Sequence, residues 1–453
     1  MISTSLNDIS KAVQAQLIGQ DCLINNVSTD TRDIEAGSLF IALVGENFDA
    51  HSFGQQAMDA GASALLVSRQ LEVDLPQLVV KDTRQALGML GSWVHQQCDI
   101  KTLAITGSCG KTTVKEMVSA ILSIKGNVLF TAGNFNNDIG VPLTLLRSTP
   151  EHEFAVIELG ANHIDEIAYT TNLVKPSVAL VNNVAAAHLE GFGSLNGVKQ
   201  AKGEIFQGLS AEGTAIINLD SQGCEYWNEV LEDKHLVCFS IENSDADFVG
   251  SDIKLDCDGN ASFVMDTPKG SRAIRLSVAG KHNVSNALAA SALAMEFGCS
   301  LDDIAQGLAK VVNVKGRVDV QQLTPTVRLI DDSYNASVPA MMAAVDLLSS
   351  YTGTRWLILG YMAELGSETL ALHRQLGDYA APFKFDYVLT YGEYTDVISD
   401  VCGGKHFETH QELIDYMEQQ LQKFTDQSHT LLIKGANSAR MSIVAEALKE
   451  MHK

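Results

Sequence analysis

Residues 102–125, TLAITGSCGKTTVKEMVSAILSIK, combine types and spacing that suit the binding of phosphate groups. A short apolar run leads into a glycine loop, and an amphipathic helical pattern begins at Lys111. Glycines let backbone N–H groups approach phosphates closely, and a helix N-terminus adds partial positive charge. In such a loop Lys111 reaches the terminal phosphates, and the Thr112 hydroxyl holds Mg²⁺. A plain glycine turn is the alternative, and Ile105 replaces the usual first glycine, but the layout predicts a nucleoside triphosphate site.

Candidate metal and cofactor residues follow the next two strand patterns. Glu158 ends the run FAVIE, and because a hard cation prefers oxygen ligands, this position favours a second Mg²⁺ anchor over a helix cap. His188 stands among small residues, as either a cofactor contact or a structural histidine. Lys199 and Lys202 lie on a predicted helix, and their types alone indicate only a solvated helix face.

Two asparagine-rich segments could contact polar ligands. GNFNNDIG at 133–140 is either a turn or a group of side-chain amides that bind a polar substrate. Asn283 and Asn286 lie one helical turn apart and could both face an adenine edge, although Asn283 could instead be an N-cap. The polar clusters at 28–32 and 45–51 are interpreted as loops with capping residues.

Alternating apolar strands and helical stretches must position these residues. Residues 1–82 predict a small unit with strands at 38–43, 64–67 and 78–80. Residues 83–313 predict a connecting helix, then a mainly parallel sheet with helices on both faces and a small antiparallel addition at about 236–280. Residues 314–453 predict another open α/β sheet. Because ligands bind at the carboxyl ends of parallel strands, the polar strand ends are the expected site.

Composition restricts the class of protein. The chain has 453 residues, which are too many for a single core. Its net charge of −23 argues against sequence-independent binding to nucleic acid or to an anionic membrane surface. The eight cysteines form no C-x-x-C pair, which fits a reducing compartment. The start shows no signal-peptide pattern and no apolar run is long enough to span a membrane, so we predict a cytoplasmic protein.

Several segments occur together, in one order, along nearly the whole chain: TGSCGKTT, ELGAN, NNVAAAHLEGFGS, AKGEIF, GKHNVSNALAA, KGR and DDSYNAS. With this set the sequence resembles the Mur ligase family, the ATP-dependent amide-forming enzymes of peptidoglycan synthesis. The resemblance implies an α/β protein of three domains. These are a small α/β N-terminal domain, a central phosphate-loop ATP-binding domain with a mainly parallel sheet, and a Rossmann-like C-terminal domain that closes over ATP.

The resemblance also implies roles for individual residues. The catalytic residues would be Lys111, Glu158, His188 and Lys202. Two Mg²⁺ ions would be held by Thr112, Glu158, His188 and Lys202, the last carrying a carbamate made from CO₂. Such a carbamate needs a neutral amine first, hence a lysine whose pKa is lowered. ATP would be bound by a larger set: Gly107, Ser108, Cys109, Gly110, Lys111, Thr112, Thr113, Asn283, Asn286, Arg317 and Asp332.

Within the family, the segments TDTR, GENFDAH, TAGNFNNDIGVPLTLL, AAAHLEGFGS and DDSYNAS resemble members that join D-Ala-D-Ala to UDP-N-acetylmuramoyl-tripeptide. That activity implies attack of the tripeptide carboxylate on the γ-phosphate of ATP, followed by attack of the dipeptide amine on the acyl phosphate. The UDP end would lie on the first domain, with its 45–51 loop. The substrate residues would be Ser28, Asp30, Arg32, Asn134, Asn137, Tyr334 and Asn335. We expect a monomer that binds no nucleic acid and does not insert into a membrane.

Two segments depart from the family pattern, both in the third domain. Tyr361 stands where aspartate is usual, and Ala436-Asn437 replaces the usual Ser-Arg after Lys434-Gly435. We hypothesise that Arg440 supplies the missing guanidinium. The alternatives are an amide ligase of the same architecture, such as a diamino-acid-adding enzyme or a folylpolyglutamate synthase, and a nucleotide-dependent switch or scaffold. The sequence leaves open whether the third residue of the tripeptide is meso-diaminopimelate or lysine.

Overall fold

The computed structural model describes residues 1–311, 315–423 and 427–452. Its strands form three main sheets, which follow one another along the chain and carry helices on their faces. Among the described residues, no helix is both long and apolar enough to cross a membrane. The predicted α/β class with three successive sheets is confirmed.

The first sheet has five strands, and all neighbours run parallel except the pair at one edge. Its strands, in spatial order, are Gln16–Ile18, Gln77–Val79, Ala64–Val67, Ser38–Ile41 and Asn26–Ser28. A separate two-stranded ribbon pairs Thr4–Ser5 with Leu23–Ile24. The helices of this part are Leu6–Ala12 and Gly54–Asp59, with short 3₁₀ turns at Thr31–Asp33 and Ala50–Phe53.

The helix Thr83–Gln96 joins the first sheet to the second. Asp82 caps it by accepting from the backbone N–H groups of Arg84 and Gln85. One apolar face, with Leu87 and Leu90, packs into the core of the first unit. Gly91 of the same helix is so close to the helix Gly140–Leu145 that a Cβ there would lie 2.8 Å from the Pro142 carbonyl oxygen. The predicted connecting helix therefore contacts both units.

The second sheet has nine strands and carries the phosphate loop. Seven of its strands pair in parallel, and the last two add an antiparallel edge, as the alternating pattern at 236–280 predicts. The central strands are apolar on both faces because helices cover both sides. In spatial order the strands are Gly270–Ala279, Asn260–Thr267, Phe248–Leu255, His235–Ser240, Thr214–Asn218, Val178–Val181, Lys101–Thr106, Phe154–Glu158 and Val128–Phe130.

The α-helices of this second unit connect its parallel strands and close the sheet. They are Lys111–Leu122, Gly140–Leu145, Glu166–Val174, Leu189–Phe192, Leu195–Gly203, Asn228–Leu231, His282–Glu296 and Leu301–Leu308. Two 3₁₀ segments, Glu204–Gly208 and Cys224–Tyr226, lie among them. The alanine-rich helix His282–Glu296 is buried along nearly its whole length, because it packs against both the sheet and the helix that begins at Lys111.

The third sheet has six strands, with a single antiparallel pair at one edge. The strands, in spatial order, are Asp319–Gln322, Val327–Asp332, His429–Lys434, Thr354–Gly360, Tyr387–Tyr391 and Lys405–Phe407. Its helices are Val338–Ser349, Thr369–Ala380, Asp396–Cys402, His410–Lys423 and Ser442–Met451, with 3₁₀ turns at Gly366–Glu368, Ala381–Phe383 and Asn437–Ala439. The predicted limit at 313/314 lies outside the described residues, and the domain limits 1–82, 83–313 and 314–453 stay predictions.

Candidate active site

A cleft of about 980 Å³ lies between the second and third units. The phosphate loop and the ends of the parallel strands Phe154–Glu158 and Val178–Val181 form one wall. Residues that follow the strands Val327–Asp332, Thr354–Gly360 and His429–Lys434 form the other wall. The cleft therefore lies where the carboxyl ends of two parallel sheets face each other, as ligand sites in such sheets do.

The phosphate loop needs glycine at two positions. Gly107 has φ +152° and Gly110 has φ +78°, a backbone conformation that side chains disfavour. A Cβ at Gly110 would also lie 2.5 Å from the Asn286 Oδ1 and 2.6 Å from the Asn182 Nδ2. Substitution there would push apart buried amides, so both glycines keep the backbone in a shape that can surround a phosphate.

Side chains from the neighbouring strand end hold this loop from behind. The Cys109 N–H donates to Asn183 Oδ1 at 2.8 Å, and its carbonyl accepts from the side-chain amides of both Asn182 and Asn183 at 3.0 Å. Ser108 Oγ donates to the Ala185 carbonyl and accepts from the Ala185 N–H. The Cys109 peptide is thus fixed on both sides, which pre-organises the loop before a ligand arrives.

Lys111 lies across the loop that it follows. Its Nζ donates to the Gly107 carbonyl at 2.8 Å. Burial lowers the pKa of this amine, and the Glu158 carboxylate opposes that shift. The charged ammonium is therefore incompletely satisfied by the protein, and a phosphate anion beside it would stabilise the charged form.

Thr112 and Glu158 bring together two side-chain oxygen groups that could bind a metal ion at the floor of the cleft. The Thr112 Oγ1 donates to Glu158 Oε2 at 2.9 Å, and Asn136 Nδ2 donates to Glu158 Oε1 at 2.8 Å. The side chain of Glu158 is only 2% exposed. A hydroxyl and a carboxylate at this distance suit Mg²⁺, because hard cations take oxygen ligands. Among the described residues, no three His, Cys, Asp or Glu side chains gather into a metal site, so ligand oxygens would have to complete the coordination.

His188 stands on the same wall and meets the third unit. Its Nδ1 is hydrogen-bonded to Glu364 Oε2, and its ring contacts Phe192 edge to face, with 6.3 Å between centroids. The hydrogen bond from His188 is the main cause that lowers the pKa of Glu364. One ring nitrogen is engaged by the carboxylate, and the cleft-lining imidazole keeps a second nitrogen that could hold a cation.

Lys202 is buried, not solvated as its residue type alone indicated. The side chain is 1% exposed on the helix Leu195–Gly203, and its Nζ lies 5.2 Å from the centroid of the Phe192 ring. Burial, and next the positive charge of Lys111, lower the pKa of Lys202 to about 7. A large fraction of the amine is then neutral at physiological pH, which is the form that reacts with CO₂. Lys202 is not among the residues that line the cleft, and the carbamate stays a prediction.

The adenine-side candidates form a chain of buried amides. Asn283 Oδ1 accepts from Asn286 Nδ2 at 2.8 Å, and Asn286 Oδ1 accepts from Asn182 Nδ2 at 3.0 Å. Asn283 donates to the Ala279 carbonyl at 2.7 Å and lies inside the helix, so the alternative of an N-cap is wrong. Both side chains line the cleft, and every group in this network is neutral.

Arg317 and Asp332 reach the cleft from the third unit. The Arg317 guanidinium lies over the Tyr334 ring at 4.5 Å. Asp332 pairs with Lys434 at 2.6 Å and accepts from the Val318 N–H at 3.2 Å. These residues face the phosphate loop across the cleft, where the Cys109 sulfur and the Ser337 hydroxyl are 3.0 Å apart.

Three family models cover most of the chain. They are the Mur ligase family, catalytic domain at residues 23–93, the Mur ligase middle domain at 105–294, and the Mur ligase, glutamate ligase domain at 316–437. A relative in Escherichia coli is 49% identical over 99% of both chains and is named UDP-N-acetylmuramoyl-tripeptide--D-alanyl-D-alanine ligase. A relative in Haemophilus influenzae with the same name is 46% identical, again over 99% of both chains. The chain belongs to the Mur ligase family.

Solved Mur ligases have the same arrangement of units. The structure of MurF from Acinetobacter baumannii matches with a TM-score of 0.95 and 36% identity over 99% of both chains. MurF from Thermotoga maritima, solved in complex with ADP, matches with a TM-score of 0.84 and 25% identity over 94% of this chain and 97% of that one. The resemblance to the D-alanyl-D-alanine-adding branch is confirmed. A folylpolyglutamate synthase, named above as an alternative, matches at 15% identity and shares the fold alone.

Not every expected Mur ligase site residue lines the cleft. Asn134, Tyr334 and Asn335 do, whereas the Asn137 side chain is outside the cleft lining and accepts from the Gly140 N–H. Arg440 is exposed and is not among the lining residues, although Asn437 and Ser438 are.

The first-unit candidates form a separate local group. The buried Ser28 hydroxyl donates to the Asp30 carbonyl at 2.7 Å and accepts from the Asp30 N–H. Arg32 forms a two-pronged pair with the Asp30 carboxylate, which lowers the pKa of Asp30 to about 2. None of these three residues lines the cleft, so a long substrate would have to reach from one site to the other.

Four residues of this Mur ligase site were missed by the sequence analysis: Asn136, Asn182, Asn183 and Glu364. Asn136 lies between Asn134 and Asn137, which were predicted as site residues. The sequence does not show that the Asn136 side chain is the one that points to Glu158. The doublet at 182–183 ends a parallel strand, so its position was a usable signal. Glu364 is 176 positions from His188, and no local pattern could connect them.

Proposed function

We propose that this chain joins D-alanyl-D-alanine to the terminal carboxylate of UDP-N-acetylmuramoyl-tripeptide, while ATP is converted to ADP and phosphate. The observation that carries the proposal is the phosphate loop with Lys111, Thr112 and Glu158 at the junction of two units, in a chain 49% identical to a ligase of that name. We further propose that the protein acts in the cytoplasm, where ATP and the UDP-linked peptide would meet it, and that it acts as a monomer.

The chain can supply positive charges that stabilise the negative charge formed during the reaction. The tripeptide carboxylate attacks the γ-phosphorus, the bond to the β–γ bridging oxygen breaks, and ADP leaves. Lys111 and Arg317 would offset the charge that accumulates when a carboxylate approaches a triphosphate. The dipeptide amine then attacks the acyl carbonyl, phosphate departs, and the amine loses its extra proton. Because water would hydrolyse the acyl phosphate, closure of the third unit over the cleft is part of the mechanism.

The cation sites would be shared among four residues. Thr112 and Glu158 would hold one Mg²⁺, and His188 with a carbamate on Lys202 would hold the other. When bound, these ions neutralise phosphate oxygens and orient the attacking carboxylate. The Lys202 amine, whose pKa is about 7, lies beside the Phe192 ring and is repelled by the charge of Lys111, and a carbamate there would change a repelling cation into an anion.

The substrates would span the molecule. Ser28, Asp30, Arg32 and the 45–51 loop would contact the UDP end. Asn134 would lie near the peptide, whereas Asn137 would act only through the Gly140 N–H that its side chain accepts from. Tyr334 and Asn335 would approach the dipeptide from the third unit. Asn283 and Asn286 would face the adenine, while Gly107 to Thr113 enclose the phosphates and Asp332 contacts the ribose.

The direct test is release of phosphate by the pure protein with Mg-ATP, bicarbonate, D-Ala-D-Ala and UDP-N-acetylmuramoyl-tripeptide, with each component omitted in turn. We expect release only when both peptide substrates are present, together with a pentapeptide product by mass spectrometry. Parallel assays with the meso-diaminopimelate and the lysine tripeptides identify the third residue. Dipeptide-independent release, or no release with ATP still bound, would refute the proposed ligase.

Replacing Glu158 with glutamine should lower kcat by roughly 100-fold or more, because a preorganised charge at the phosphates is lost. The fold should survive, since an amide can still accept from Asn136 and contact the Thr112 hydroxyl. The measurement is kcat against Mg²⁺ concentration, with thermal unfolding as a check. Glu151→Gln, an exposed change before the same strand, is the matched control. An unchanged kcat in Glu158→Gln would remove this residue from the cation site.

Arg440→Ala tests the hypothesis that Arg440 replaces the arginine that the family usually has at the position of Asn437. If Arg440 supplies the missing guanidinium, the KM for D-Ala-D-Ala should rise about tenfold while the KM for ATP stays the same, because a carboxylate contact would be lost. Arg374→Ala, an exposed arginine of the same unit, is the control. Equal dipeptide KM and kcat in Arg440→Ala and the parent chain would end the hypothesis.

A further inference from the structure

The third unit touches the proposed cation site through one short segment. Glu364 Oε2 is hydrogen-bonded to His188 Nδ1, and the Glu364 carbonyl accepts from the Glu190 N–H at 3.1 Å. Two residues further on, a Cβ at Gly366 would lie 3.5 Å from the Glu190 Cα. A side-chain bond and a backbone bond thus hold the same two segments together across the cleft.

Both residues of the side-chain bond have unusual backbones. His188 has φ +54° and Glu364 has φ +61°, although neither is glycine. The left-handed region is costly for such residues, and it is retained where the surrounding structure requires one particular direction of the side chain. Here the two conformations aim an imidazole and a carboxylate at each other from different units.

The hydrogen bond has a consequence for the imidazole. A neutral histidine has one N–H donor and one nitrogen with a free lone pair. Because the carboxylate accepts from Nδ1, the proton stays there and the lone pair is on Nε2. Metal-binding histidines commonly donate their other N–H to a carboxylate, which fixes both the tautomer and the ring orientation.

We propose that Glu364 is a positioning residue for His188, which it holds in the tautomer and orientation that present Nε2 to the second Mg²⁺. The proposal rests on the proposed function, because that function assigns the cation to His188. Since Glu364 belongs to the third unit, the second cation site is complete only when that unit has closed. Closure and cation binding are then coupled, and premature cleavage of ATP in the open enzyme is disfavoured.

The rival explanation is a simple ion pair in which a charged His188 meets Glu364. An ion pair would compete with a cation for His188, so breaking it would strengthen cation binding. A positioning residue has the opposite effect, because its removal frees the imidazole to rotate. The two explanations therefore differ in the sign of the change in cation affinity.

The experiment measures Mn²⁺ binding by electron paramagnetic resonance, in the full chain with AMP-PNP and the UDP-linked tripeptide. We expect two Mn²⁺ ions per chain, and in Glu364→Ala an affinity about 10 to 100 times weaker at one of them. The other site, at Thr112 and Glu158, should be unchanged. Glu368→Ala, an exposed glutamate of the same segment, is the matched control and should bind both ions as the parent does.

A double-mutant cycle tests whether Glu364 acts through His188. Adding Glu364→Ala to His188→Ala should weaken Mn²⁺ binding no further, because the two residues then act as one unit. Tighter or equal binding in Glu364→Ala, additive losses in the double variant, or a single Mn²⁺ in the parent would each overturn the proposal. An inactive parent chain in the phosphate-release assay would instead refute the proposed function, so the two failures are distinguishable.

Discussion

Replacing Lys202 with methionine is expected to remove nearly all ligase activity and, at neutral pH, to stabilise the fold. Activity should fall by roughly 1000-fold or more, because methionine cannot form a carbamate and one cation site loses its anionic ligand. The residue is buried beside Phe192 and near Lys111, so a methionine of similar length fits the space without a buried charge.

The stability effect has a defined dependence on pH. The pKa of Lys202 falls from 10.5 to about 7 in the folded chain, mainly through burial. Below pH 7 both the folded and the unfolded states carry the proton, and the folded state bears the full penalty of a buried charge. Between pH 7 and about 10.5 only the unfolded state binds the proton, so stability rises with pH. The advantage of Lys202→Met should therefore be largest below pH 7 and vanish near pH 10.5.

Bicarbonate gives the most specific readout for this variant. The parent chain should lose activity in buffer freed of CO₂ and regain it on addition of bicarbonate, whereas Lys202→Met should respond to neither. Lys199→Met is the matched control, because Lys199 lies one turn earlier on the same helix and pairs with Glu225 at 3.1 Å. If Lys202→Met kept kcat within tenfold of the parent, the carbamate would have no part in the reaction.

Lys111→Met is the second change with a large expected effect. Loss of the ammonium beside the phosphates should lower kcat/KM for ATP by roughly 100- to 1000-fold, with a raised KM. The fold should not be weakened, because burial lowers the pKa of Lys111 and so opposes its charge in the folded state. The measurements are steady-state kinetics in ATP, calorimetric binding of ATP, and thermal unfolding.

A lysine beyond the same helix provides the comparison for Lys111. Lys125 contacts the Gly298 carbonyl at 3.2 Å, far from the loop, so Lys125→Met should leave the kinetics as they are. Unchanged ATP affinity and unchanged kcat in Lys111→Met would mean that the phosphates do not lie in the glycine loop. The Thr112 and Glu158 assignments would then have no support, because they depend on the same position of the nucleotide.

The two lysines differ in how far the sequence identified them. Lys111 belongs to a contiguous strand, glycine loop and helix, whose chemistry is contained in about ten residues. Glu158 could also be placed, because its strand pairs in parallel beside the loop strand, with Glu158 opposite Ile105. Lys202, in contrast, could be chosen only by resemblance, since a helix does not reveal which of its faces will be buried.

Several short strands were also missed, and for a physical reason. Gln16–Ile18 and Lys405–Phe407 are three residues long and lie at sheet edges, where so short a segment shows no periodic pattern. Longer strands were found within two residues of their observed limits, as at Ser38–Ile41 and Ala64–Val67. Apolar patterns are reliable where both faces of a strand are buried, and weak at sheet edges.

By itself the sequence determined the α/β class, the phosphate loop and the Mur ligase resemblance, because each depends on residues that are neighbours in the chain. Tertiary structure alone decided the burial of Lys202, the contact of Asn136 with Glu158, and the bond between His188 and Glu364. These depend on helices and loops that meet from distant parts of the chain. Side-chain pattern encodes which face of an element is apolar, but the partner of a polar group is set by packing in three dimensions.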